Sequence, residues 1–211
     1  MASDECRIAL DGLSDDGWLA DAERRVARDP ASIVRLFAGV GRHCGRAPLP
    51  QAEGWTADEA GRVRLLLALP AAAVPRQVED LYRYGDADEK RAVLKALCLL
   101  PVDSGAVPLL HDAIRTNDTR LLAAALGPYA RHLDQVSWRQ AVLKCVFMGV
   151  PLSVVHGLAE RADAELAAMI ADLRAERDAA GRHLPEDALA LLKQLTRRPE
   201  VRCASSIRTS T

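Results

Sequence analysis

A recurring helix-start signal constrains this chain more than any other feature. Thr56-Ala57-Asp58-Glu59 and Asp86-Ala87-Asp88-Glu89 each set a short oxygen-bearing side chain three residues ahead of a glutamate. Such a pair satisfies two otherwise orphaned amides at a helix N-terminus. The first opens the run RVRLLLALP and the second KRAVLKALCLLP, and the runs stop at Pro70 and Pro101. Asp118 can cap TRLLAAAL, Ser137-Trp138-Arg139-Gln140 reads as a third box, and Pro151 suits the first turn of another helix. These starts, near 57, 86, 118 and 151, recur roughly every thirty residues, room for two helices and their turns.

Partner helices fall between them. One spans 75–84 and ends at Gly85 as a left-handed stop; others cover 104–116, 160–180 before Gly181, and 185–197 from Pro185. Near the N-terminus, 15–28 and 30–43 pair across Asp29-Pro30. No segment alternates with period two over a strand's length. The fold class expected is all-α: stacked antiparallel helix pairs in a HEAT/TPR-like α–α superhelix, with an irregular helical bundle as the alternative. The organisation reads as an N-terminal helical pair (1–43), a Pro/Gly-rich connector (44–55), a helical repeat domain (56–197) and a disordered tail (198–211).

Composition agrees with helix. Half of the 211 residues are apolar, only 4% are aromatic, and Ala and Leu dominate. Net charge is −1, from 28 basic and 29 acidic residues, so no general pull toward nucleic acid or anionic membranes is expected. The five cysteines are odd in number and form no CxxC, which suits reduced thiols, with Cys98 and Cys145 as small core residues. MASDECRIALDG has no hydrophobic stretch to act as a signal peptide, and the longest nearly uncharged stretch, Cys145 to Ala159, is too short to cross a bilayer. A cytoplasmic protein without membrane insertion follows as the expectation.

Polar residues crowd into 115–144. Gly127-Pro128 should interrupt the helix begun at Asp118 and redirect Tyr129 and His132. His132 and Asp134 could work as an acid–base pair, the carboxylate setting the imidazole tautomer; equally, Asp134 could cap the next turn and His132 sit at a helix end. Lys144 lies in AVLKCVFMGV, one turn from Gln140; a lysine there needs a partner, an anionic ligand or a route to solvent. The tentative catalytic set is therefore His132, Asp134 and Lys144. Arg115, Asn117, Asp118, Tyr129, Gln135, Trp138, Arg139 and Gln140 are candidate ligand-binding residues. Structural roles compete for each: turn and N-cap for Asn117-Asp118, ion pairs for the arginines, core packing for Trp138. A second cluster, Tyr82-Arg83-Tyr84-Gly85-Asp86 with Lys90 and Arg91, reads as a solvated inter-helix turn able to border the same face. The histidines lack metal-site spacing, and no Walker, GxGxxG, HExxH or GxSxG motif occurs, so neither metal nor cofactor is expected.

The stretches RTND, AALGPYA, HLDQ, WRQAVLKC and GVPL, within a similarity over roughly 55–181, resemble the EboA-domain family. The resemblance implies an accessory protein of bacterial clusters that also encode a UbiA-type prenyltransferase, a TatD-like hydrolase, and proteins similar to dehydroquinate synthase and xylose isomerase. Such clusters serve specialised metabolism, including delivery of a pigment precursor to the periplasm in cyanobacteria. It assigns no reaction to this component, and points to a small-molecule metabolite or proteins of the same gene cluster as partners. An enzyme acting on a cyclitol- or sugar-derived metabolite through His132 and Asp134 is the competing reading. A HEAT-like DNA-repair protein is disfavoured by the neutral charge.

Overall fold

The structure, a computed structural model, describes residues 2–13 and 17–197. The tail expected to be disordered, Cys203 within it, lies outside them. Every regular element among the described residues is helical. The α-helices are α1 (Ala2–Asp11), α2 (Trp18–Arg28), α3 (Ile33–His43), α4 (Ala57–Leu67), α5 (Val74–Tyr84), α6 (Ala87–Ala96), α7 (Val107–Arg115), α8 (Thr119–Ala125), α9 (Gln135–Met148), α10 (Leu158–Arg161), α11 (Ala164–Ala179) and α12 (Glu186–Arg197). Short 3₁₀ turns intervene, the longest at Pro128–His132.

The chain divides into two compact units, Met1–Leu158 and Ala159–Thr211. In the first, α4, α6 and α8 pack in succession, while α5 lies against α6 and α7 against α8. The three N-terminal helices pack on α4, which has nine of its eleven residues buried. Three of those nine are charged: Asp58, Glu59 and Arg62. Burial of charge requires pairing. Arg62 is paired with Asp58 one turn earlier and lies over the Phe37 ring, 5.7 Å from its centroid. In the second unit α11 packs against α12, and Leu166, Ile170 and Leu173 form a buried stripe on α11 at helical spacing.

Both leading capping boxes form as the sequence predicts. Thr56 N–H donates to Glu59 Oε2 at 3.0 Å, and Glu89 N–H to Asp86 Oδ1 at 2.8 Å. The third does not: α9 is capped by Asp134, which accepts from the amide and hydroxyl of Ser137 at 2.8 and 2.6 Å. Asp134 and Ser137 are both good caps, and the earlier start adds a turn that carries fully buried Trp138 into the core. Gly85 departs from expectation as well. Its backbone is extended (φ −75°), and glycine is needed because a Cβ would lie 2.5 Å from the Leu81 carbonyl oxygen and 2.9 Å from Glu89 Cβ. The Gly127-Pro128 interruption falls as predicted, with α8 ending at Ala125. No described helix is long and apolar enough to cross a membrane.

Candidate functional site

The polar segment nominated by the sequence is largely engaged locally. Lys144 answers its burial by donating to the Ile114 and Thr116 carbonyls at 2.6 and 2.8 Å, closing the C-terminal end of α7. Asp118 caps α8 and binds Arg120 through both oxygens, which holds its carboxyl below the usual range. The Ser137 contacts similarly lower the Asp134 carboxyl. Tyr129 is buried; its hydroxyl donates to the Asp103 carbonyl and accepts from Ala106 N–H at 3.1 Å, pinning the turn before α7. Burial pushes that phenol up. Asp103 holds positive φ (40°), a conformation L-residues adopt rarely, so the tie fixes an unfavourable turn.

His132 packs on the Tyr129 ring with centroids 4.7 Å apart, its Nε2 buried without a hydrogen-bond partner among the described residues. Arg115 is mostly exposed and lies 3.5 Å from Asp112. Asn117 and Gln140 are exposed, Gln135 and Arg139 half-buried, and Trp138 fully buried. Tyr129 and His132 thus come together, and Lys144 meets the backbone beside Asn117. Asp134 is held by its own helix.

A cleft of about 570 Å³ opens in the first unit, lined in part by other residues of this segment, and falls within the roughly 300–1,000 Å³ typical of small-molecule sites. Ala123 and Ala124 of α8 and the Gly127-Pro128 turn supply one wall; Met148, the last residue of α9, with Gly149 to Pro151 and Val154 after it, supplies another. Cys6 of α1 and Gly54-Trp55 of the connector complete the apolar part. Arg91 and Lys95 of α6, and Thr119 and Arg120 of α8, bring the polar atoms. None of the eleven residues nominated from the sequence is among these lining residues.

The α6 face carries the electrostatics. Arg91 and Lys95, one turn apart, both converge on Glu59, which is only 2% exposed. Lys95 Nζ lies 2.7 Å from Oε2, and Arg91 Nε 2.9 Å from Oε1. Both also donate to the Gly54 carbonyl, Lys95 at 2.6 Å and Arg91 at 3.1 Å. Lys95 Nζ sits 4.4 Å from the centre of the Trp55 ring, a cation–π distance. Burial pulls the Lys95 ammonium below its ordinary value, and Glu59 opposes the shift. At the rim Arg120 bridges Asp118 and Asp88, at 2.8 and 3.1 Å, and Asp88 also meets Arg46 at 3.2 Å.

Sequence reasoning missed Lys95 and read Glu59 as a cap alone. The signal was present: Arg91 and Lys95 stand four residues apart on one stripe of a helix whose Ala92, Val93, Leu94 and Ala96 are buried, preceded by a tryptophan in the connector. Among the described residues no group of three or more His, Cys, Asp or Glu side chains could hold a metal ion. No curated protein and no solved structure matches this chain. A family model described as "Metabolite traffic protein EboA" matches residues 22–193, most of the chain, and the chain belongs to the EboA family.

Proposed function

We propose that this chain is a cytoplasmic accessory protein of a metabolite pathway that holds a small molecule in the cleft between α6, α8 and the end of α9. The observation that carries the reading is the cleft itself: apolar walls from three helices with a few convergent charged groups at one side, the usual make-up of a ligand site. The family's description as a metabolite traffic protein supports a metabolite-linked role. The succession of α4, α6 and α8, with α5 and α7 outside it, fits the inner layer of a HEAT/TPR-like stack, an architecture that presents such surfaces.

In this reading the polar residues nominated within 115–144 are framework, while Thr119, Arg120, Ala123, Ala124, Gly127 and Pro128 line the cleft. Lys144, Asp118, Asp134 and Tyr129 set the ends of α7, α8 and α9, and thereby the walls. Holding and handing on a precursor, to a partner of the same gene cluster or toward export, requires no residue that turns over. The competing enzyme reading, with His132 and Asp134 as acid and base, gains no particular support, because the Asp134 carboxylate is committed to Ser137.

The test is an allele replacement. Ala124→Phe at the native locus fills the cleft from a half-buried position without touching a charge. With protein level unchanged by immunoblot, the strain should reproduce the metabolite profile of the gene deletion. A wild-type profile in that strain would overturn the proposal.

A further inference from the structure

We infer that the cleft selects a monoanionic amphiphile, its acidic head seated against Lys95 and Arg91 and its apolar body along Ala123, Ala124, Met148 and Val154. This rests on the cleft being the binding site and adds what the ligand must be.

The argument is charge balance in a place where imbalance is costly. Glu59 is buried, Lys95 is 14% exposed and Arg91 25% exposed on their side chains. Two cations share one carboxylate, which among the described residues leaves one positive charge without an anionic partner. The rim does not supply it: Arg46 and Arg120 are already matched there by Asp88 and Asp118. Cys6 lines the same cleft from α1, and a cysteine in its ordinary thiol form carries no charge. The Gly54 carbonyl and the Trp55 face offer dipole and quadrupole, enough to hold the cations in place but not to neutralise them. A surplus charge that is poorly solvated, fixed in direction and bordering an apolar hollow is complementary to one oxyanion. The lowered proton affinity of Lys95 points the same way, since a bound anion would restore it.

A pair of probes with the same apolar body isolates the head group: 8-anilinonaphthalene-1-sulfonate carries one negative charge, and N-phenyl-1-naphthylamine carries none. Fluorescence titration of the full chain should give sulfonate binding at least about tenfold tighter than the amine, the worth of one charge-assisted contact. Lys95→Met and Arg91→Met each leave Glu59 one cation and remove the surplus. Each should erase the sulfonate preference and leave amine affinity within about twofold, with helical circular dichroism unchanged. Ala124→Phe should lose both probes. Equal binding of the two probes by the wild-type chain overturns the inference and spares the cleft as a site, as does a preference that survives in both charge variants. Binding of neither probe, or binding untouched by Ala124→Phe, overturns the cleft as well.

Discussion

Glu59 does two jobs with one carboxylate. It closes the capping box of α4 and receives Lys95 and Arg91. Losing either cation leaves a balanced pair, whereas losing both strands a buried charge. Lys95→Met or Arg91→Met should therefore each shift urea unfolding by about 1 kcal/mol, and the double substitution should cost about 3–5 kcal/mol, well beyond the sum. Lys144 has the opposite character. Lys144→Met leaves the Ile114 and Thr116 carbonyls without their donor and should cost about 1–3 kcal/mol while probe binding in the cleft stays at the wild-type level. A ligand role for Lys144 would instead show as lost binding with stability kept. The sequence alone could mark Lys144 as a lysine in need of a partner. It could not say that the partner would be the backbone of a helix end some thirty residues earlier, because which carbonyls remain orphaned depends on where α7 stops.

At the scale of elements, helix starts were legible and their tertiary use was not. The boxes at Thr56 and Asp86 are local chemistry, written in four consecutive residues, and they form as read. Asp86→Ala should lower stability by about 1 kcal/mol by thermal or urea unfolding, the ordinary value of such a cap. The α9 start was misread because Asp134 and Ser137 both qualify, and only core placement of Trp138 distinguishes them. Asp134 and Asp118 tie helix starts to acidity. Each carboxyl is held low in the folded chain, so each contributes stability above the ordinary carboxylate range and loses it as pH falls through the folded value. Melting temperature measured from pH 7 toward pH 3 should fall, and Asp134→Asn should flatten part of that slope.

The α3–α4 crossing depends on Gly61. A Cβ there would stand 2.7 Å from Val40 Cγ1 and 3.1 Å from Cys44 Sγ, and buried, β-branched Val40 has little room to yield. Gly61→Ala, stabilising in an isolated helix, should cost about 1 kcal/mol net here.

At the scale of the whole molecule, all-helical character and family membership could both be read from residues, the first from composition and caps, the second from motifs spread over much of the chain. The cleft could not. Its walls come from α1, the connector, α6, α8 and the turn after α9, segments far apart in sequence, and most of its lining residues are small or apolar ones that look like ordinary core. The motif-bearing segment 115–144 drew attention because its side chains are polar; in the structure much of that polarity serves to end and start helices, and the hollow lies against its other side. Native mass spectrometry of the chain purified from its native host tests the central claim most directly. The wild-type protein should carry a discrete small-molecule mass, released on denaturation and missing from Ala124→Phe isolated in the same way. Identical spectra for the two proteins, with no bound mass or with the same one, would contradict a metabolite site in this cleft.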